Sequence, residues 1–182
     1  MIIAETNRLI LREFEVTDAS AMFTMDSDPE VLKFIGTPPF TDVKQTEDII
    51  SYVRHQYAET GFGRWAVVLK TTGAFIGWAG IKLERHQVNG HGDFYDLGYR
   101  LLRDHWGNGY ASEASRASLE IGFRNKGLAV INASVDAENG ASIRVLEKVG
   151  LRRLEEFVED NCRQYWYEIR KEEFDRLVST VP

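Results

Sequence analysis

Three strand-like runs follow one another between residues 65 and 102 with only short connections, and this succession constrains the fold more than any other feature. Trp65 to Lys70 and Ala74 to Glu84 are separated by Thr71-Thr72-Gly73, a compact hairpin turn. The polar stretch Arg85 to Gly92 reads as a loop, and Asp93 to Leu102 resumes as a strand with apolar Phe94, Leu97, Tyr99 and Leu101. Successive hairpins exclude a purely parallel, doubly wound sheet, whose strands need crossover connections. Before this core, Arg8 to Phe14 reads as an opening strand with Leu9 and Leu11 on one face. Thr17 is the expected cap of a helix, and Asp28 caps a second with Pro29 in its first turn. A longer helix is expected from about Asp42 to Glu59, with Val43, Thr46, Ile49, Ile50, Val53 and Tyr57 at helical spacing, ended by Gly61 and Gly63.

After the core, a helix from about Ala111 to Lys126 is closed by Gly127, and Val130 to Val135 reads as a buried strand. Asn139 caps a helix from about Ala141 to Val149, which Gly150 terminates. Leu151 to Glu159 and Tyr165 to Lys171 read as a closing antiparallel pair. The predicted order is β-α-α-β-β-β-α-β-α-β-β, an α/β (α+β) chain with a mixed sheet and helices on its faces.

With 182 residues and no repeat, low-complexity tract or linker, the chain is expected to form one domain over residues 1–182. A formal charge of −6 argues against nucleic acid as a partner. The only cysteine, Cys162, excludes an intramolecular disulfide framework and a Cys-rich zinc site. No apolar run approaches the about 20 residues of a membrane span. Glu5, Arg8, Arg12 and Glu13 break the N-terminal stretch, so it does not read as a secretory signal and the expected location is cytoplasmic.

The stretch most informative about chemistry is Leu97-Gly98-Tyr99-Arg100-Leu101-Leu102-Arg103-Asp104-His105-Trp106-Gly107-Asn108-Gly109-Tyr110-Ala111-Ser112-Glu113-Ala114. A strand runs into a turn carrying Gly107 and Gly109, and the turn opens a helix whose first residues are small. Free N–H groups at a helix start, with the positive end of the dipole behind them, make an anion site. Spacing alone also allows a glycine-bearing turn with no ligand. The dinucleotide fingerprint is absent, because Ser112 stands where its third glycine or alanine would fall.

Trp106-Gly107-Asn108-Gly109-Tyr110-Ala111, followed by Glu113-Ala114, resembles the acyl-CoA pyrophosphate loop of the GNAT N-acetyltransferase superfamily, in its RimJ/RimL-type branch. Thr6-Asn7-Arg8-Leu9-Ile10-Leu11-Arg12 is similar to the first strand of that branch, and Asn139 to Leu151 is similar to its penultimate helix. The resemblance implies a mixed, mostly antiparallel sheet of about seven strands with helices on both faces. It also implies acetyl-CoA as co-substrate, no metal, and a primary amine as acceptor: a protein N-terminus, a polyamine, an aminoglycoside or another small cationic amine.

By the same resemblance, the backbone of Tyr99, Arg100 and Leu101 pairs with the pantetheine arm after parting from the Val130 to Val135 strand. The turn from Trp106 through Gly107, Asn108, Gly109 and Tyr110 to Ala111 holds the pyrophosphate, and Asn139 reaches the pantetheine from the far side. Trp106 replaces the superfamily's usual Gln or Arg, so phosphate affinity is expected to rest on N–H groups. Asp96, where the branch usually has Glu, is the implied base, acting through water. Leu146 occupies the usual tyrosine position and cannot donate a proton, which leaves Ser142 for the departing thiolate.

The alternative is a non-catalytic acyl-CoA-binding module of the same fold. A homodimer is allowed but nothing in the sequence requires it. His86 and His91, in the loop between two strands, read as solvated or as an acceptor lip before they read as metal ligands.

Overall fold

The computed structural model describes residues 1–179. One eight-stranded sheet has the order β1-β2-β3-β4-β5-β6-β8-β7. Its strands are β1 (Ile2–Glu5), β2 (Leu9–Arg12), β3 (Gly63–Leu69), β4 (Phe75–Glu84), β5 (Phe94–Leu101), β6 (Val130–Asp136), β7 (Arg152–Glu159) and β8 (Cys162–Arg170). The helices are α1 (Ala19–Asp26), α2 (Pro29–Leu32), α3 (Val43–Thr60), α4 (Tyr110–Glu120), α5 (Gly140–Lys148) and α6 (Lys171–Ser179). A π-helical turn, Ile121–Asn125, extends α4. Every neighbouring pair of strands is antiparallel except β5 and β6. The mixed, mostly antiparallel sheet with helices on both faces is therefore as expected.

Alternation along the strands separates two cores. Ala66 on β3 and Phe75 at the start of β4 pack with Phe14, Met22, Met25, Ile50 and Val53 beneath α1 and α3. Trp65, Val67, Ile76 and Ala79 face the other way, onto Leu101 and Ala114 of α4. On that second face, Ile131, Ala133 and Ile169 pack with Leu119, Leu146 and Phe174 from α4, α5 and α6. Among the described residues, no helix is long and apolar enough to cross a membrane.

Three local features differ from the sequence reading. Ile2–Glu5 forms an additional edge strand, turned back onto β2 where the Leu9 N–H donates to Thr6 Oγ1 at 2.9 Å. The first helix is entered through a short 3₁₀ turn, Val16–Asp18, and Thr17 is not its cap. Asp18 takes that part: its carboxylate accepts from the Glu15 N–H at 2.8 Å and from both ends of the Arg12 guanidinium at 2.7 Å. Finally, the chain does not end at the closing strand pair. Lys171–Ser179 is helical and buries Phe174 against Phe123, with ring centroids 5.2 Å apart.

Phe174 is 2% exposed, so α6 acts as a plug for the second core. Phe174→Ala should lower stability by about 3–5 kcal/mol in a denaturant titration. A loss below about 1 kcal/mol would show that α6 is not part of the cooperative core.

Candidate active site

Two well-paired half-sheets meet at a single point. β4 and β5 pair continuously from Gly77–Leu101 to Glu84–Phe94, and β6 and β8 from Val130–Arg170 to Asp136–Gln164. Between them, β5 and β6 share one parallel pair, Asp96 with Asn132. Past that pair β5 stays with β4 and β6 with β8, so the strands part. The edge of Tyr99, Arg100 and Leu101 that faces β6 keeps backbone groups outside any ladder; the Leu101 carbonyl takes the Trp106 indole N–H, and the groups that remain demand partners.

The mouth of this parting leads to the glycine turn. A 3₁₀ turn, Arg103–His105, follows β5, and the Trp106 indole N–H donates back to the Leu101 carbonyl at 2.9 Å. Gly107 and Gly109 adopt φ of +75° and +78°, left-handed values that glycine enters without a Cβ clash. The N–H groups of residues 107 to 112 donate to nothing else among the described residues. They lie at the start of α4, whose dipole adds positive potential there. A groove of about 730 Å³ continues along α4 past Gly109, Ser112, Arg116 and Lys148. It touches the turn at Asn108 and Gly109 but not the edge of β5 at the parting.

Asp96 and Ser142 stand on opposite faces of the sheet at the parting. On the α4–α5 face, Asn139 caps α5 by accepting from the Ser142 N–H at 3.1 Å. The Tyr99 phenol crosses from β5, donates to the Ser142 carbonyl at 2.9 Å and lies 2.8 Å from Ser142 Oγ. Burial pushes the Tyr99 phenol well above its ordinary value, with the Ser142 hydrogen bond opposing and the Tyr167 and Asp96 charges reinforcing. It is therefore a proton-bearing donor at neutral pH. Leu146, at 2% exposure, points into the core.

On the α1–α3 face, the Arg64 guanidinium lies across Gly98. It donates to the carbonyls of Gly80 and Asp96, at 2.6 and 2.5 Å, and pairs with the Asp96 carboxylate. A Cβ on Gly98 would sit 2.6 Å from Arg64 Nη2, so glycine is needed for the guanidinium to lie flat on the sheet. The side chain of Arg100 points away from the turn, to Asp26 at the end of α1, at 2.6 Å. Both guanidinium groups flank the Trp78 ring, at 5.5 and 5.2 Å from its centroid. Burial raises the Asp26 carboxyl and Arg100 opposes the rise; Asp26 Oδ2 and Arg100 Nε are buried without a partner among the described residues.

The back of the turn is held from the N-terminus. Thr6 Oγ1 donates to Glu113 at 2.6 Å, the Arg8 Nε to its other oxygen at 2.7 Å, and Arg8 Nη1 to the Asn108 carbonyl at 3.0 Å. Arg8 also covers the Tyr110 ring at 4.5 Å. The loop between β4 and β5 folds over the far half of the sheet, where His91 stacks on Trp166 at 4.6 Å. Cys162 is exposed, and among the described residues no three His, Cys, Asp or Glu side chains converge as a metal cluster.

The structure thus brings the expected turn, Tyr99 to Leu101, Asn139 and Ser142 around one parting. Sequence reasoning missed the Tyr99 phenol, the Arg64–Asp96 pair and the Arg8–Glu113 pair. One signal was available. Gly80 and Gly98 face each other in mid-strand, and paired glycines inside strands mark a close approach.

The comparisons agree with this geometry. Residues 8–152 match the family model of the acetyltransferase (GNAT) domain. The uncharacterized N-acetyltransferase p20 of Bacillus licheniformis is 37% identical over 148 residues, 81% of each chain. The crystal structure of a GNAT-family acetyltransferase from Bacillus anthracis superposes with a TM-score of 0.79 at 30% identity, covering 94% of this chain and 99% of that one. At the level of fold, spermidine N-acetyltransferase from Vibrio cholerae, in complex with CoA and spermine, superposes with a TM-score of 0.76 at 16% identity, covering 93% and 98%. The chain belongs to the GNAT acetyltransferase family.

Glu113 tests the support of the turn. Burial raises its carboxyl, but the bonds from Thr6 and Arg8 outweigh this and hold it below the ordinary value. A lowered folded-state pKa gives stability that is present above the unfolded value and lost as pH falls through the folded one. The stability difference between wild type and Glu113→Gln should therefore grow from acid toward neutral pH in urea titrations. A pH-independent difference would contradict the charge-assisted clamp.

Proposed function

We propose that this protein transfers an acetyl group from acetyl-CoA to a primary amine by direct attack on the thioester. The parting of β5 from β6 past the single Asp96–Asn132 pair, opening onto a turn of undonated N–H groups, carries this reading. A slender amide-bearing arm would complete the free edge of Tyr99 to Leu101 as a strand does, and the N–H groups of Gly107 to Ala111 would take the pyrophosphate. The Asn139 Oδ1 is used in capping, which leaves its amide N–H to meet the arm from the other side. With Trp106 bonded to Leu101, no side-chain cation faces the anion from that position, and the N–H groups supply the affinity. The likeness to the RimJ/RimL-type branch and a cytoplasmic location are part of this proposal, as is one acyltransferase domain over residues 1–182.

The reaction needs a neutral amine, whereas an α-ammonium has a pKa of about 8 and a lysine ammonium about 10.4. Asp96 accepts the proton through a water from the α1–α3 face. Arg64 holds Oδ2 of that carboxylate, which leaves Oδ1 to accept. The amine nitrogen bonds to the acetyl carbon, the C–S bond breaks, and the thiolate leaves on the α5 face. There the Ser142 hydroxyl gives its proton to the thiolate, and the proton that the amine nitrogen sheds on becoming an amide returns through water to Ser142 Oγ, which the Tyr99 phenol holds in place. The acceptor in this proposal is a cationic amine, such as a protein N-terminus or a small amine, that approaches from the side of Asp96.

One observation favours the second reading, a non-catalytic acyl-CoA-binding module: the Asp96 carboxylate already has a counter-charge in Arg64. A panel of amines and peptides with acetyl-CoA, read by thiol release and product mass, separates the two. Transfer predicts acetylated amine with stoichiometric thiol; the module predicts CoA binding and no thiol. Asp96→Asn should depress turnover most at neutral pH and recover in part at high pH, where free amine abounds, with CoA affinity near wild type. Ser142→Ala should slow single-turnover transfer about 10–100-fold. A pH–rate profile parallel to wild type in Asp96→Asn, or full-speed transfer in Ser142→Ala, would remove that residue from its role.

A further inference from the structure

Resting on the acyl-CoA reading, we infer that Arg8 is a positioning residue for the anion-binding turn, acting through the Asn108–Gly109 peptide. Three observations converge on it. Its Nη1 donates to the Asn108 carbonyl at 3.0 Å. Its Nε and Nη2 are held by Glu113, at 2.7 and 2.6 Å, in the first turn of α4. Its guanidinium plane covers the Tyr110 ring at 4.5 Å. One side chain from the β1–β2 turn therefore ties together the residue before Gly109, the residue after it and the helix that follows.

Peptide geometry gives the side on which it acts. The Asn108–Gly109 peptide bond is trans, so the Asn108 carbonyl and the Gly109 N–H point in opposite directions. A guanidinium on the carbonyl sits behind the turn, and the Gly109 N–H is aimed away from it, into the space an anion would use. A positive charge on the carbonyl oxygen polarises the whole peptide and strengthens that N–H as a donor. Arg8 is thus not a phosphate ligand. Its charge is balanced by Glu113, which the Thr6 hydroxyl and the Arg8 backbone N–H also hold, at 2.6 and 3.0 Å. This arrangement stands in for the cation absent at Trp106: the charge reaches the anion through a peptide dipole. It also keeps the left-handed Gly109 from swinging its N–H out of register.

The test compares CoA with S-acetylpantetheine, which has the arm and thioester but no pyrophosphate. Arg8→Ala should raise the Kd of CoA about 10–100-fold and leave the Kd of S-acetylpantetheine within about twofold. Arg8→Lys should fall between, because an ammonium can keep the Asn108 bond but not the Glu113 fork. Both variants should show wild-type near-UV circular dichroism. Equal weakening for both ligands would reduce Arg8 to a fold-stabilising residue and overturn the inference, as would an unchanged CoA affinity in a folded Arg8→Ala protein. Wild-type protein that binds neither ligand would instead overturn the acyl-CoA reading itself, and this inference with it.

Discussion

A single parallel pairing, Asp96 with Asn132, joins two half-sheets that are otherwise zipped along their whole length. Parallel neighbours need a crossover, and here the crossover is α4 with its glycine turn. The same chain segment that permits the parting therefore delivers a helix start to its mouth. An interior strand edge with unpaired N–H and C=O groups is costly in a folded protein. Only a ligand or water can complete it without closing the site. The functional reading follows from that constraint more than from any one side chain.

The charges around the parting are arranged by face. On one side lie Arg64 with Asp96 and Arg100 with Asp26, on either side of Trp78. Partly buried ion pairs of this kind contribute little net stability, since desolvation offsets attraction. The Asp26–Arg100 pair is incompletely satisfied as well. The two pairs and the Trp78 ring between them make a polar, charge-balanced wall beneath α1. The other side presents the hydroxyls of Tyr99 and Ser142. That division matches a reaction in which a proton is taken on one face and given on the other.

Much of the fold was legible because it is written in local chemistry. Asp28, Asp42, Asn139, Gly61 and Gly127 mark helix ends, and the hairpins β3–β4 and β4–β5 follow from the Thr71-Thr72-Gly73 turn and the polar loop after Glu84. β1 was hidden because Thr6 to Arg8 carries no Gly or Pro and turns instead through the Thr6 side chain. α6 follows β8 without a break, and no turn residue separates them. At the site, the glycine turn could be read because its requirement is backbone conformation. Arg64 on Asp96, Tyr99 on Ser142 and Arg8 on Glu113 could not, because these partners are 32, 43 and 105 residues apart and meet only through sheet register or the docking of α4 and α5 on the sheet.

The account stands on the claim that the backbone of the parting and the turn is the acyl-CoA site. Amide chemical shifts during a CoA titration of uniformly ¹⁵N-labelled protein test it most directly. The prediction is saturable downfield movement of the Gly107 to Ala111 amides, together with shifts in Tyr99 to Leu101, while α6 and β7 stay still. Saturating CoA that leaves both segments unmoved, or that shifts only residues of the outer groove along α4, would contradict it.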